Sequence, residues 1–149
     1  MIYLGSDHAG FELKEKIKEW LKDWGYEFED LGAHEFDPKD DYPDFALKVC
    51  EKIIKEGGKG ILICGTGQGM DRVANKIPGI YAAVCWDEET AKYARLHGNT
   101  NVLCIGGRVL GEEKAKKIIK IWLETPFSNE ERHIRRINKI KEIEKRYFK

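Results

Sequence analysis

Short apolar runs alternate with amphipathic stretches along most of the chain. A short unbroken apolar run indicates a buried strand, whereas apolar residues that recur every three or four positions indicate a helix. Strands are predicted at 2–4, 26–31, 61–64, 80–85 and 102–105. Helices are predicted at 11–24, from 41 onward, from 70 onward, from 87 to about 98, and at 111–124. Because strand and helix alternate strictly, we predict a doubly wound α/β domain whose parallel sheet is covered on both faces.

The final segment, 129–149, departs from this alternation. Ser128-Asn129-Glu130-Glu131 has the pattern of a capping box, and helix-favouring residues then continue to Lys149. Its isoleucines recur in steps of three, at positions 134, 137, 140 and 143. At about 100° per residue, Ile134 and Ile143 face opposite sides of a helix. Such a wound apolar band needs two covering surfaces, and we expect one from its own domain and one from a second subunit. The alternative is a solvated surface helix with spare isoleucines.

Length and charge narrow the class of protein. A chain of 149 residues fits a single domain, 1–149, and 26 basic against 26 acidic side chains give a formal net charge of zero. This balance excludes a general electrostatic attraction to nucleic acid or to an anionic membrane. No apolar stretch approaches the roughly 18–20 residues that span a bilayer, and no signal-peptide pattern opens the chain. Four cysteines without a Cys-x-x-Cys pair predict a reduced, cytoplasmic protein without structural zinc.

A glycine-rich loop follows the third predicted strand, at the edge of a parallel sheet where ligands bind. Its sequence is Gly65-Thr66-Gly67-Gln68-Gly69. The glycines either permit a tight turn or direct several backbone N–H groups at one anion. Met70 stands where a dinucleotide fingerprint has its third glycine, and the Lys-Ser/Thr pair of a P-loop is missing. The loop therefore favours neither a nicotinamide site nor a nucleotide-hydrolase site.

Cys64 ends that strand and directly precedes the loop, where a helix N-terminus favours the thiolate. A thiolate beside N–H donors suits proton abstraction next to a carbonyl, because the donors stabilise the enediolate oxygen that forms. Cys64 is thus a candidate base, with a purely structural cysteine as the alternative. We interpret Cys50, Cys85 and Cys104 as core residues.

Histidines and arginines supply the other candidates. None of His8, His34, His97 and His133 has the helical spacing of metal ligands, so no metal site is predicted. We expect His8 and His97 to flank the cleft and His34 to be solvated. Arg132 and Arg136 lie one helical turn apart and could hold one phosphate together. Their alternative is an ordinary solvated helix face.

Six stretches carry a family resemblance, and their order and spacing together are highly specific. They are Gly5-Ser6-Asp7-His8-Ala9-Gly10, Asp41-Tyr42-Pro43, Cys64-Gly65-Thr66-Gly67-x-Gly69, Ala74-Asn75-Lys76-x-x-Gly79-Ile80, Asn101-Val102-Leu103-x-x-Gly106-x-Arg108-x-x-Gly111 and Arg132-His133-x-x-Arg136. Over almost the whole chain the sequence resembles the type B ribose-5-phosphate isomerases, a group that includes galactose-6-phosphate isomerase subunits. The resemblance implies a Rossmann-like three-layer α/β/α sandwich with a five-stranded parallel sheet. It also implies a homodimer, or a dimer of dimers, with a site shared between subunits and no metal or organic cofactor.

The resemblance further implies an aldose–ketose isomerase that interconverts D-ribose 5-phosphate and D-ribulose 5-phosphate, with a role for each matched residue. Cys64 is the implied base between C1 and C2, Thr66 assists with the hydroxyl protons, and His97 opens the sugar ring. Asp7 is implied to hold sugar oxygens. The enediolate is stabilised by the implied amide donors Gly65, Thr66, Gly67, Gln68 and Gly69. The phosphate is surrounded by the implied contacts His8, Arg108, Arg132 and Arg136. Two alternatives stay open: an isomerase of a tetrulose or hexose phosphate, and a catalytically silent phosphosugar-binding subunit.

Four features depart from the family pattern: Asp71, Arg72, Gly98 and the pair Glu130-Glu131. A carboxylate beside Cys64 would disfavour the thiolate, so Asp71 is expected to oppose the proposed base unless Arg72 or the substrate offsets it. These departures bear on which sugar phosphate is used more than on the class of reaction.

Overall fold

The computed structural model describes residues 1–148, which form five strands and six α-helices around one sheet. The strands are β1 (Ile2–Ser6), β2 (Phe28–Asp30), β3 (Lys59–Cys64), β4 (Ala82–Val84) and β5 (Val102–Gly106). The helices are α1 (Phe11–Asp23), α2 (Tyr42–Glu56), α3 (Gln68–Ala74), α4 (Glu88–Leu96), α5 (Glu112–Glu124) and α6 (Glu131–Tyr147), with a 3₁₀ turn at His8–Gly10. The sheet is parallel throughout, in the order β2-β1-β3-β5-β4. The predicted α/β fold is therefore confirmed.

Two apolar cores lie on opposite faces of the sheet and make it the middle layer of three. Successive residues of a strand point to opposite faces, so Ile61 and Ile63 enter one core while Leu62 and Cys64 enter the other. Residues from α1, α4 and α5 complete the first core, and residues from α2 and α3 complete the second. The side chains of β3 from 60 to 64 are all buried, as expected for a central strand covered on both faces.

The predicted strands differ from the observed ones mainly at the edges of the sheet. The predictions 26–31 and 80–85 shorten to the three-residue strands β2 and β4. Each of these lies at a sheet edge and pairs with one neighbour, so fewer of its residues join the ladder. β1 and β3 are longer than predicted, because Ser6 pairs with Ile63 and Lys59 pairs with Ile2.

The start of α6 corrects one expectation. The predicted capping box at 128–131 does not form; Glu130 occupies the N-cap position and its side chain makes no capping bond. Ser128 Oγ instead contacts Nδ1 of the buried His133 at 2.6 Å and accepts a hydrogen bond from the Glu130 amide at 3.2 Å. A buried imidazole needs a polar partner, and here it engages the hydroxyl that would have capped the helix. Lys149, the predicted end of this helix, lies outside the described residues.

The apolar band on α6 is largely uncovered in the single chain. Ile134, Ile140 and Ile143 are 40%, 51% and 55% exposed. The C-terminal part of α6 lies beside the segment that leads into β4, where the Glu144 carboxylate accepts a hydrogen bond from the Gly79 amide at 3.3 Å. One side of the helix thus faces its own domain. Within residues 1–148, no helix has both the length and the apolar character needed to cross a bilayer.

Candidate active site

A cavity of about 420 Å³ opens at the carboxyl edge of the sheet. Its walls come from the segments that follow β1, β3 and β5, together with the first turns of α2 and α3. The lining residues are Asp7, His8, Ala9, Tyr42, Cys64, Gly65, Thr66, Gln68, Gly69, Arg72 and Arg108. This is the position at which parallel α/β sheets bind ligands. Asp87, after β4, instead caps α4 by accepting a hydrogen bond from the Thr90 amide at 2.7 Å.

Cys64 is the last residue of β3 and presents its sulfur to this cavity while remaining only 5% exposed. The Gly67 amide donates a hydrogen bond to Cys64 Sγ at 3.2 Å. Gly67 has a φ of +84°, and a Cβ atom there would lie 3.0 Å from the backbone carbon of Ile105. Glycine is therefore required at this position both by its backbone conformation and by the close approach of β5. An N–H donor aimed at sulfur stabilises a thiolate more than a thiol.

The glycine loop is fixed from the side of β5. The Gly107 amide donates to the Cys64 carbonyl at 2.8 Å, and the Arg108 amide donates to the Gly65 carbonyl at 3.0 Å. A Cβ atom on Gly106 would lie 2.7 Å from the backbone of Thr66, so a side chain there would push the loop away. These contacts hold Thr66 and the loop amides in place beside the Cys64 sulfur.

Asp7 and His8 form the wall that follows β1. Asp7 Oδ1 accepts a hydrogen bond from the Gly10 amide at 3.2 Å and thereby caps the 3₁₀ turn. Burial raises the pKa of Asp7, and the Gly10 amide and the neighbouring His8 only partly offset this effect. The His8 ring contacts Asp40, with 2.7 Å between His8 Nδ1 and Asp40 Oδ1, and the His8 amide donates to the same oxygen at 3.0 Å.

Asp7, His8 and Asp40 also place three possible metal-ligand atoms within 4.8 Å of one another. The spacing of histidines does not reveal this group, because Asp40 lies 32 residues from His8 along the chain. The bond between His8 and Asp40 accounts for the cluster as an imidazole–carboxylate pair, with Asp7 engaged in its own capping bond.

Asp71 and Arg72 lie on different sides of α3. Arg72 lines the cavity, and no carboxylate in residues 1–148 lies within 4.0 Å of its guanidinium. Asp71 lies outside the lining and accepts a hydrogen bond from Asn75 Nδ2 at 3.2 Å. Burial raises the pKa of Cys85 to about 12, and Asp71 adds to that shift. Asp71 also adds to the raised pKa of the core residue Cys104, while its neighbour Arg72 brings positive charge to the cavity.

Four candidates do not line the cavity within one chain: Gly67, whose amide still contacts the Cys64 sulfur, and His97, Arg132 and Arg136, which lie away from it. His97 ends α4, which runs back from the carboxyl edge of the sheet, so His97 lies near the opposite edge. Its exposed ring stacks on Tyr93, with 4.7 Å between ring centroids, and lies tilted against the His133 ring, with 4.3 Å between centroids. Arg132 and Arg136 are exposed on the first turns of α6, beside His133. The expectation that His97 flanks the cleft together with His8 therefore does not hold within a single chain.

Tyr42 and Asp40 are site residues that sequence reasoning missed. The sequence predicts that a helix begins at Asp41-Tyr42-Pro43. The structure confirms this start, with Asp41 at the N-cap position of α2. Its ring also packs against the glycine loop, since a Cβ atom on Gly69 would lie 2.7 Å from it. The position of Tyr42 in the first turn of a helix that begins at the carboxyl edge of the sheet is the sequence feature that could have identified it as a site residue. Asp40 gave no such signal, because it lies in a polar loop without periodicity.

Fold and cavity together define a doubly wound α/β protein with a thiol and a glycine loop at the carboxyl edge of its sheet. The family model described as Ribose/Galactose Isomerase matches residues 2–140, and the chain belongs to this family. A probable ribose-5-phosphate isomerase B of Mycoplasma genitalium is 46% identical over 146 residues, which are 97% of this chain and 95% of that protein. The resemblance seen in the sequence motifs is confirmed.

Solved structures agree with this assignment. A ribose-5-phosphate isomerase B from Clostridium thermocellum superposes with a TM-score of 0.94 at 46% identity and covers 98% of both chains. A ribose-5-phosphate isomerase B from Mycoplasma genitalium, solved with bound ribulose 5-phosphate, gives a TM-score of 0.92 at 44% identity. It covers 97% of this chain and 95% of its own. The three-layer fold is therefore shared over nearly the full length.

Proposed function

We propose that this chain is an aldose–ketose isomerase that interconverts D-ribose 5-phosphate and D-ribulose 5-phosphate without a cofactor. The observation that carries the proposal is the Cys64 sulfur at the cavity wall, hydrogen-bonded by the Gly67 amide, in a chain of the ribose/galactose isomerase family. Support for the substrate comes from the relatives, which are named for ribose 5-phosphate, one of them with ribulose 5-phosphate bound.

The proposed reaction moves one proton between two carbons. The Cys64 thiolate removes the proton from C2 of the open-chain aldose, and the electron pair moves to the C1 oxygen to form an enediolate. Loop amides from Gly65 to Gly69 stabilise that oxygen, and each such donor contributes on the order of 3 kcal/mol in comparable sites. Cys64 then returns the proton to C1, while Thr66 assists the transfer of the hydroxyl proton from O2 to O1.

The rest of the cavity positions the sugar phosphate. The Asp7 carboxyl group is placed to accept hydrogen bonds from sugar hydroxyls. His8 and Arg108 provide the phosphate contacts that this chain itself brings to the cavity. Arg72 adds a second guanidinium, which the family pattern does not have, and favours binding of a dianionic substrate.

We further propose that the site is completed by a second copy of the chain in a homodimer. His97, Arg132 and Arg136 lie away from the cavity in one chain, but the ring contact between His97 and His133 brings them to one surface. The exposed isoleucines of α6 supply the apolar area that a dimer interface needs. In the dimer, His97 acts as the acid that opens the sugar ring, and the two arginines hold the phosphate. A dimer of dimers is the alternative assembly.

Four free cysteines, all buried, support a reduced and hence cytoplasmic setting for this protein.

The function itself is tested by measuring kcat/KM over a panel of four- to six-carbon sugar phosphates. Ribose 5-phosphate is expected to give the highest value. A higher kcat/KM for a tetrulose or hexose phosphate would identify that compound as the substrate instead. Binding without exchange of the C2 proton would indicate a catalytically silent phosphosugar-binding subunit. Activity that survives dialysis against a chelator is expected, since each step uses protein groups alone.

A further inference from the structure

The loop between β2 and α2, residues 31–41, is anchored beside the strand that carries Asp7 and His8. The Ser6 amide donates to the Gly32 carbonyl and the Ala33 amide donates to the Ser6 carbonyl, both at 2.8 Å. The buried Lys14 amine donates to the Ala33 carbonyl at 2.5 Å and to Asp30 Oδ1 at 2.6 Å. The N-terminal end of the loop is thus fixed, and its C-terminal end contacts His8, which lines the cavity.

Two side chains of this loop hold the His8 ring. Asp40 Oδ1 lies 2.7 Å from His8 Nδ1 and also accepts from the His8 amide at 3.0 Å. The Phe36 ring meets the imidazole edge-on, with 6.2 Å between ring centroids and an angle of 87°. Since two bonds reach one carboxylate oxygen, both the main chain and the ring of His8 are oriented by Asp40.

We propose that Asp40 is a positioning residue that fixes the Nδ1–H tautomer of His8 and leaves Nε2 to contact the substrate. An ionised carboxylate only accepts hydrogen bonds, so the proton of this contact resides on Nδ1. Nε2 is then the ring nitrogen available in the cavity that His8 lines. The assignment of Nε2 to the phosphate rests on the proposed function, whereas the tautomer does not.

The burial of Asp40 carries a free-energy cost, which argues against a role confined to the structure of its own loop. Its side chain is only 10% exposed, and its Oδ2 is buried without a hydrogen-bond partner in residues 1–148. A buried carboxylate oxygen without a partner is destabilising. Glu35 in the same loop is exposed and makes no such contact. The burial of Asp40 is therefore accounted for by what its other oxygen does to His8.

The tautomer is tested directly by long-range ¹H–¹⁵N NMR of the histidine rings in ligand-free protein, with His8 assigned from the His8→Gln variant. Wild type and the matched control Glu35→Gln are expected to show a protonated Nδ1. Asp40→Ala is expected to shift the His8 ring toward the Nε2–H form. A wild-type ring in the Nε2–H form, or an Asp40→Ala spectrum identical to wild type, would overturn the proposal.

Kinetics provide the second readout. Asp40→Asn keeps the shape of the side chain but weakens the acceptor, so KM for ribose 5-phosphate is expected to rise about tenfold, with kcat within about twofold of wild type. Glu35→Gln is expected to leave both constants unchanged. An Asp40→Asn variant with unchanged KM, or with lower kcat and lower thermal stability together, would contradict a positioning role. If wild type turns over no sugar phosphate, the proposed function fails while the NMR experiment still decides the tautomer.

Discussion

The Gly67 amide points at the sulfur of Cys64 across 3.2 Å, and this contact joins the end of the central strand to the glycine loop. It distinguishes Cys64 from the other cysteines. Burial raises the pKa values of Cys50 and Cys85 to about 12, and burial raises that of Cys104 as well. None of these three lines the cavity. One of four buried thiols is therefore placed to react as a thiolate.

Selective alkylation follows from this difference. Native protein treated with iodoacetamide near neutral pH is expected to take up one carbamidomethyl group, on Cys64, because the thiolate is the nucleophile. Peptide mass spectrometry locates the modified residue. The Cys64→Ser variant should take up none, and unfolded wild type should take up four, one for each cysteine. Modification spread over the core cysteines before Cys64 reacts would contradict this description of the site.

Arg72 is expected to contribute to binding rather than to stability. Its guanidinium lines the cavity and has no ion pair in the described part of the chain, so Arg72→Met removes attraction for phosphate and little else. We expect KM for ribose 5-phosphate to rise roughly three- to tenfold, with the melting temperature unchanged within about 2 °C. Lys22→Met, which removes one positive charge from the exposed end of α1, is the control. An equal rise in KM for the two variants would show that the change in net charge, and not the position of Arg72 in the cavity, causes the effect.

Much of the site follows from the order of residues along the chain. Asp7, Cys64 and Arg108 lie at or just after the ends of β1, β3 and β5, and parallel strands bring their carboxyl ends to one edge. The same rule cannot locate Asp40, which reaches His8 from a loop without apolar periodicity. It also cannot locate His97, because a residue at the end of a returning helix lies at the other edge of its own chain. In the proposed dimer, the place of His97 in a site depends on a second chain, which periodicity within one chain does not describe.

A shared site predicts complementation between two inactive variants. Cys64→Ala lacks the base and His97→Asn lacks the ring-opening acid, so each homodimer is expected to be nearly inactive. In a heterodimer, one cavity combines the intact Cys64 of one chain with the intact His97 of the other. Co-refolded equal mixtures should therefore recover about a quarter of wild-type activity, as random pairing of a twofold dimer gives. Native mass spectrometry confirms heterodimers; heterodimers without activity would place both residues in sites within single chains.

The ion pair of Lys14 and Asp30 predicts acid sensitivity of the fold. Burial lowers the pKa of Lys14. Burial would raise the pKa of Asp30, but hydrogen bonds from Lys14, Gly32 and Lys18 outweigh it and lower the pKa below the ordinary value of 3.8. Unfolded chains therefore bind more protons than folded ones in this range, and the free energy of unfolding falls as pH drops from about 4 through the folded-state pKa of Asp30.

Substitution at Asp30 tests the same pair at neutral pH. Asp30→Asn leaves the fully buried Lys14 without its counter-charge, and we expect a loss of about 3 kcal/mol in the free energy of unfolding. Denaturant titration between about pH 2 and 7 measures both effects. The exposed neighbour Glu29→Gln serves as the control and should keep the wild-type profile. An Asp30→Asn variant as stable as wild type, with the same acid dependence, would show that the pair contributes nothing.

The most direct test of the account is proton transfer at the sugar carbon, followed by NMR in D₂O. Wild type is expected to convert ribose 5-phosphate with deuterium appearing at C1 of ribulose 5-phosphate. The control Cys50→Ala, which removes a buried thiol outside the cavity, is expected to do the same. Cys64→Ala should slow both conversion and deuterium incorporation by at least about 10²-fold while remaining folded. Conversion and labelling by folded Cys64→Ala at the wild-type rate would contradict the assignment of this sulfur as the base.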